Sequence, residues 1–116
     1  MRDLKQRTKL FALEVIKIVE SLPRNTPALI IGKQVIRSAT SIGANYRSAC
    51  RARSKAEFIS KMGIVEEEAD ETIYWLELLL ETNMIAGNQL KELIKEANEL
   101  LSIFVASIKT ARSNAY

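Results

Sequence analysis

The sequence has 116 residues, of which 47% are hydrophobic and 27% charged, and its formal net charge is +3. These values are typical of one soluble domain that is long enough to bury a core without disulfides. The chain has one cysteine, Cys50, and no histidine. An intramolecular disulfide is therefore excluded, and so is a site that needs histidine as a base or a metal ligand.

Composition also indicates the fold class and the compartment. Glycine and proline together number six, and aromatic residues make up 6% of the chain, which favours helix over sheet. Residues 1–10 carry charges throughout and lack the apolar segment of a secretory signal, and no apolar stretch approaches the length of a membrane span. A single cysteine fits a reducing compartment. We therefore expect a cytoplasmic protein with no membrane partner.

The first helix is predicted over residues 4–22. Its apolar side chains recur at steps of seven, four, three and four residues and so share one face: Leu4, Phe11, Val15, Ile18 and Leu22. Pro23 ends this helix, because proline disfavours helical backbone in the residue that precedes it.

The second helix is predicted over residues 27–52, with Thr26 as its N-cap and Pro27 at its first position. Gly32 and Gly43 each weaken this helix by roughly 1 kcal/mol relative to alanine. We expect a neighbouring helix to approach closely at these glycines, with a kink as the alternative.

The third helix is predicted over residues 55–83, and Ser54 with Glu57 forms a capping box at its start. Its inner stripe is Phe58, Met62, Val65, Ala69, Thr72, Leu76 and Leu79. The fourth helix is predicted over residues 89–111 after an N-cap at Asn88. Its seam is Leu90, Ile94, Ala97, Leu101, Phe104 and Ile108.

Four amphipathic helices with short connections predict an all-α fold, an antiparallel up-down-up-down four-helix bundle. No internal repeat or composition break divides the chain, so residues 1–116 are predicted to be a single domain. The last residues, 113–116, are expected to fray.

Residues 72–80 carry apolar side chains in nearly every direction around the third helix. A bundle buries only one stripe of each helix, so part of this surface needs another partner. We predict an interface between copies of the chain at Ile73, Tyr74, Trp75 and Leu78. The alternative is a wide core stripe with one exposed tryptophan.

Positive charge is concentrated where the second helix meets the third. Five basic residues stand against one acidic residue, Glu57, and they are Arg47, Arg51, Arg53, Lys55 and Lys61. Arg47 and Arg51 share a helical face and can contact successive phosphates, which is the main sequence-independent source of affinity for nucleic acid. A solvated surface that steers subunit packing is the alternative.

The acidic third helix raises two enzyme classes. Carboxylate-bridged di-iron bundles need Glu-x-x-His pairs, so the absence of histidine excludes them in their usual form. In an all-α nucleotide pyrophosphatase, carboxylates on two helices hold magnesium against a triphosphate. Glu67, Glu68 and Glu71 with Glu96 and Glu99 match that pattern loosely, and a solvated or salt-bridged face is the favoured interpretation.

Nucleophilic catalysis has little support, because without histidine no Ser-His or Cys-His pair can form. Cys50 is expected near the apolar face of the second helix as a core or flank residue. We therefore predict that the protein is not an enzyme and has neither a cofactor nor a metal site.

A long motif spans the second and third helices. Gln34 and Arg37 precede the segment Ala-Thr-Ser-Ile-Gly-Ala-Asn at residues 39–45, and Arg53 precedes Ser-Lys-Ala-Glu-Phe at residues 54–58. This pattern resembles the four-helix bundle family encoded in intervening sequences of bacterial 23S ribosomal RNA genes. The first and fourth helices match that family in pattern only.

The resemblance implies a small bundle that assembles into a homopentameric ring. The chain is also similar to the accessory protein of diversity-generating retroelements, a basic pentameric bundle that engages nucleic acid and a reverse transcriptase. The commonest family form has Ile-Ala-Glu-Gly after the asparagine, whereas residues 46–49 here are Tyr-Arg-Ser-Ala, which removes an acid and adds an arginine. Carried over, the binding residues are Arg37, Arg47, Arg51, Arg53 and Lys55.

Together these observations predict a non-enzymatic homo-oligomer, a pentamer by resemblance, that binds structured RNA or DNA at the basic corner. The residues expected to bind are Arg37, Arg47, Arg51, Arg53, Lys55 and Lys61. No base-reading motif is present, so selectivity should come from shape. The first alternative is a protein-interaction scaffold in which Tyr74, Trp75 and Leu78 anchor a protein partner, and the second is the magnesium-dependent pyrophosphatase.

Overall fold

Four α-helices make up almost all of residues 3–113, the part of the chain that the computed structural model describes. They are α1 (Leu4–Glu20), α2 (Thr26–Cys50), α3 (Lys55–Glu81) and α4 (Gly87–Ser113). Each helix packs antiparallel against the one before it, and α4 returns to α1, so that the bundle closes with extents of 52 × 23 × 21 Å. The prediction of an all-α four-helix bundle is confirmed.

The first two helices differ from prediction at their ends, and side-chain caps explain why. Asn25, not Thr26, is the N-cap of α2, and its side-chain oxygen accepts a hydrogen bond from the backbone N–H of Ala28 at 2.9 Å. Thr26 is therefore already helical. The first helix ends at Glu20 rather than at residue 22, because the Ser21 hydroxyl and backbone N–H both donate to the carbonyl of Ile18.

The last two helices show similar shifts. Ser54 caps α3 as predicted and accepts the N–H of Glu57 at 3.0 Å. The third helix ends two residues earlier than predicted, where Asn83 takes a left-handed conformation with a φ of 54°, which asparagine tolerates. The fourth helix begins at Gly87, so Asn88 is not its N-cap, and continues to Ser113. Of the residues expected to fray, 114–116 lie outside the described residues.

One continuous apolar cluster runs along the bundle axis. Its largest fully buried apolar members come from all four helices: Phe11, Val15, Val35, Ile42, Met62, Val65, Leu76, Leu79, Leu90, Leu100 and Phe104. In α4 the inner face is rotated from the predicted seam, since Leu93 and Leu100 are buried whereas Ile94 and Leu101 are half-buried. None of the four described helices combines the length and the apolar character that crossing a membrane requires.

Close packing of α1 against α2 occurs at the two glycines of α2. A methyl group added at Gly32 would lie 3.1 Å from Val19 Cγ1, and one added at Gly43 would lie 3.2 Å from Thr8 Oγ1. Both positions thus have a neighbouring helix in tight contact, as predicted. The glycines allow α1 to lie close enough for Thr8 to be fully buried.

A buried polar contact joins α2 to α3. The Thr72 hydroxyl donates to Ser38 Oγ at 2.8 Å, and neither side chain is exposed to solvent. A hydroxyl buried without a partner costs about 1–3 kcal/mol, so this pair favours one relative position of the two helices.

The glycines differ enough to give a paired test of the α1–α2 contact. A methyl group at Gly63, in the middle of α3, would meet no atom within 4 Å. Gly63→Ala should therefore raise the free energy of unfolding by about 1 kcal/mol, and the melting temperature by about 5 °C, through helix propensity alone. Gly43→Ala should gain clearly less, because its methyl group crowds Thr8. Thermal unfolding followed by circular dichroism measures both, and equal gains would contradict the tight contact.

Candidate nucleic-acid interface

The basic corner lies at one end of the bundle, where α2 ends and α3 begins. A cleft of about 640 Å³ opens there, here called the corner cleft, and it is lined by Ala44, Arg47, Ser48, Arg51, Arg53, Glu57 and Lys61. Arg47 lies in the last turn of α2 and Arg51 is the C-cap that follows this helix, and both are exposed. The structure thus brings together four of the predicted binding residues. Lys55, in the first turn of α3, does not line this cleft.

The arginines of the corner cleft carry charge that the protein itself leaves uncompensated. Within residues 3–113, the side chains of Arg47, Arg51 and Arg53 form no ion pair and no side-chain hydrogen bond. Lys61 is held in place instead, since its ammonium donates to Ser48 Oγ at 2.8 Å and lies 3.5 Å from Glu57 Oε1. The cleft therefore presents three free guanidinium groups and one positioned ammonium group, with one carboxylate among them.

Arg37 was predicted to bind nucleic acid, and the structure places it outside the corner cleft, in contact with two carboxylates of α3. It lies ten residues before Arg47, roughly 15 Å away along α2, and its guanidinium hydrogen-bonds the carboxylates of Glu71 and Glu68. The hydrogen bond that Arg37 donates to Glu71 raises the pKa of Arg37 most, and those that it donates to Glu68 raise it further. Because two carboxylates already compensate its charge, Arg37 does not belong to the corner cleft.

The predicted interface residues of α3 differ in their exposure. Ile73 is buried in the core of its own chain, with 8% of its surface exposed, so it offers little surface to a partner. Tyr74 is 54% exposed, whereas Trp75 and Leu78 are half-buried. Tyr74 and Trp75 meet edge to face with ring centroids 5.1 Å apart. Tyr74 is thus the member of the set with most surface left for a partner.

The two acidic motifs of the pyrophosphatase alternative do not converge. Glu68 and Glu71 face α2 and bind Arg37, whereas Glu96 and Glu99 face α1 and bind Arg7 at 2.7 and 3.4 Å. Each motif is thus neutralised on a different side of the bundle. Within residues 3–113, no three histidine, cysteine, aspartate or glutamate side chains lie close enough to hold a metal ion.

Cys50 is exposed at the end of α2, so of the two expected positions, in the core or at its flank, the core is excluded. Burial, followed by a hydrogen bond with Cys50, raises the pKa of Tyr46 to about 12. The Tyr46 phenol therefore stays neutral at physiological pH and cannot act as a base for the thiol.

A second basic groove, which the sequence reasoning missed, adjoins the corner cleft. This α1–α2 groove has a volume of about 530 Å³ and is lined by Asp3, Lys5, Gln6, Thr8, Lys9, Ala12, Thr40, Gly43, Ala44 and Arg47. It shares Ala44 and Arg47 with the corner cleft. The sequence did contain a signal for this groove. Lys5 and Lys9 are four residues apart, and an up-down bundle places the start of α1 beside the end of α2.

The hydrogen bond between Trp75 and Glu71 should make the stability of the fold depend on pH. The indole N–H of Trp75 donates to Glu71 Oε2 at 2.9 Å, and this bond, followed by that from Arg37, lowers the pKa of Glu71 below its ordinary value of 4.5. A lowered pKa stabilises the fold above pH 4.5, and that contribution is lost as the pH falls through the lowered value. Trp75→Phe removes the indole donor, so the pKa of Glu71 should rise. NMR titration of the carboxyl resonance measures it, and Tyr74→Phe, which leaves this bond intact, should change nothing.

The chain was compared with known proteins. The family model described as "23S rRNA-intervening sequence protein" matches residues 2–106. A 1.70 Å crystal structure of a protein with unknown function from the S23 ribosomal protein family of Bacteroides thetaiotaomicron is 36% identical, with a TM-score of 0.85. That match covers 92% of this chain and 99% of the other. Comparison with curated proteins finds no match. The resemblance noted from residues 34–58 is confirmed, and the chain belongs to the 23S rRNA-intervening sequence protein family.

Proposed function

We propose that this protein is a non-enzymatic, cytoplasmic homo-oligomer that binds nucleic acid through the corner cleft. The observation that carries the proposal is the set of free guanidinium groups at Arg47, Arg51 and Arg53, which share one cleft and have no compensating partner within the described residues. Each cation that neutralises a backbone phosphate releases a condensed counterion, and this release supplies affinity without reading sequence.

The contrast between the arginines of the molecule supports this choice. Arg7 and Arg37 each bind two carboxylates and connect helices, so their charge serves the fold. Arg47 and Arg51 connect no helices and protrude into solvent. An arginine without a structural partner is available for an external anion, and its planar donor group suits phosphate oxygens.

Homo-oligomerisation is the second part of the proposal, with a pentamer as the assembly that the family resemblance implies. Its support is the amount of apolar surface that one chain leaves uncovered: Leu29 and Ile30 on α2, and Ile64 and Tyr74 on α3, are each 43–59% exposed. Covering such side chains in a subunit contact contributes roughly 25 cal/mol per Å² of apolar area. A ring of copies would also bring several corner clefts into one cationic surface.

Two paired substitutions test the nucleic-acid site. Arg47→Ala with Arg51→Ala should lower affinity for a structured RNA hairpin about tenfold or more near 0.1 M salt, because two phosphate contacts are lost. The slope of log affinity against log salt should fall in magnitude by about 2. A filter-binding salt titration between about 50 and 200 mM measures both quantities.

The matched control is Lys91→Ala with Lys95→Ala. This pair has the same four-residue spacing and removes the same charge, but it lies on the exposed side of α4 near the opposite end of the bundle. It should leave the salt slope nearly unchanged. If the arginine and lysine pairs weaken binding equally, the affinity reflects net charge alone and the cleft assignment fails. Recovery of a polypeptide partner after nuclease treatment would instead favour the scaffold alternative.

Subunit count tests the oligomer. Multi-angle light scattering of the wild type should give a mass several times that of the chain, and Tyr74→Lys should lower it, because a charge would replace exposed aromatic surface at the contact. Ser102→Lys is the control, since it adds the same charge at an exposed position of α4. A wild-type chain that remains a monomer at high micromolar concentration would contradict this part of the proposal.

A further inference from the structure

The corner cleft and the α1–α2 groove meet at Arg47 and Ala44, which line both. Lys5 and Lys9 lie in the groove on the far side of α2 from Lys61, so basic side chains flank α2 on both sides. Lys5 and Lys9 are exposed and, within residues 3–113, form no ion pair. The exposed cations of this end of the bundle therefore form one band that crosses α2, not a cluster confined to the α2–α3 corner.

The ridge of α2 between these two sides is low at Ala44, an exposed residue that lines both. Beside it, Gly43 packs closely on Thr8, so the two helix backbones approach each other there. Small side chains at a crossing point let a bulky polymer pass over the helix without a steric barrier. Thr40, one turn before Ala44, adds an exposed hydroxyl group to the same groove.

Two carboxylates lie within the band and limit where an anion can bind. Asp3 caps α1 by accepting the N–H of Gln6 at 2.8 Å, and Glu57 lies 3.5 Å from Lys61. Both carboxylates are therefore engaged at the borders of the band. The free cations, Lys5, Lys9, Arg47, Arg51 and Arg53, outnumber them.

Neither lining contains an aromatic side chain. The nearby ring of Tyr46 is half-buried and packs on Phe104 with centroids 6.0 Å apart. Proteins that hold single-stranded nucleic acid stack its bases on exposed aromatic rings, whereas duplexes present phosphates and hydroxyl groups and are recognised by shape. A band of cations without a stacking surface fits the second class of ligand.

The spacing of the cations fits a duplex as well. Lys5 and Lys9 form one row on α1, and Arg47 with the C-cap residue Arg51 forms another at the end of α2. Packed helices lie about 8–10 Å apart and their outward side chains diverge, which is comparable with the roughly 12 Å width of the major groove of B-form DNA. Two such rows can contact phosphates of both strands across one groove.

Resting on the proposed nucleic-acid function, we infer that the ligand is a double-stranded nucleic acid and that Lys5 and Lys9 of α1 contact its backbone together with Arg47 and Arg51 at the end of α2. The protein contacts the phosphates of the duplex and makes no sequence-specific contact with its bases. Affinity should accordingly be insensitive to base sequence.

The test uses the full chain with a B-form DNA duplex of about 16 base pairs, roughly one and a half helical turns, and an oligothymidylate strand with the same number of phosphates. Lys5→Ala with Lys9→Ala should weaken duplex binding about tenfold near 0.1 M salt and lower the salt slope by about 2. The Lys91→Ala, Lys95→Ala chain is again the control. The single strand should bind at least about fivefold more weakly than the duplex. Alanine suits helices, so both variants should fold, which circular dichroism verifies.

The outcomes separate this inference from the proposed function. If Arg47→Ala with Arg51→Ala weakens binding while the Lys5, Lys9 pair behaves as the control does, the corner cleft is the whole site and the inference is overturned. Equal or tighter binding of the single strand overturns the duplex assignment while the proposed function stands. If the wild type binds neither probe, the proposed function itself fails.

Discussion

The antiparallel register between α2 and α3 is the constraint on which the rest of this structure depends. Three contacts define it: the buried Ser38–Thr72 hydrogen bond, the Arg37 contacts to Glu68 and Glu71, and the bond from Lys61 to Ser48. They lie in order along the two helices. A shift of one helical turn would separate both hydroxyl groups and leave Arg37 opposite the wrong side chains. The same register places Lys61 across from Arg47 and Arg51 and so forms the corner cleft.

Because of this packing, some charged side chains pair with each other between helices, whereas others face solvent. Along the middle of α3, carboxylates face α2 and are neutralised by Arg37, and across the bundle Arg7 does the same for Glu96 and Glu99. Such partly exposed pairs contribute little stability, roughly 0–1 kcal/mol each. Within residues 3–113 they engage four carboxylates, whereas the guanidinium groups of Arg47, Arg51 and Arg53 at the α2–α3 end have no carboxylate partner.

Periodicity was enough to predict the fold, because apolar stripes at helical spacing and short connections admit few arrangements other than a bundle. It could not predict how each helix is rotated about its own axis. That rotation buries Ile73 in the core. It also turns Leu93 and Leu100 of α4 toward the core, where Ile94 and Leu101 were expected. Caps were equally ambiguous, since Asn25 and Thr26 are both good N-caps and only the backbone geometry selects Asn25.

The site was predicted where its residues are close in sequence and missed where they are not. Arg47, Arg51, Arg53 and Lys61 lie within one hairpin of helices, so their proximity follows from the sequence. Arg37 was grouped with them but lies outside the corner cleft, because a linear cluster does not show which residues face a carboxylate on the next helix. Lys5 and Lys9 were missed for the converse reason, since only the packing of α1 on α2 places them beside Arg47.

The exposed thiol of Cys50 gives this molecule a single natural site for attaching a reporter dye. Cys50 is the one cysteine of the chain and directly precedes Arg51, so a maleimide dye would attach once per copy, at the border of the corner cleft. In an assembly of copies, the number of photobleaching steps would then count subunits one by one. Emission from the same dye would follow occupancy of the neighbouring arginines in real time, without any engineered cysteine.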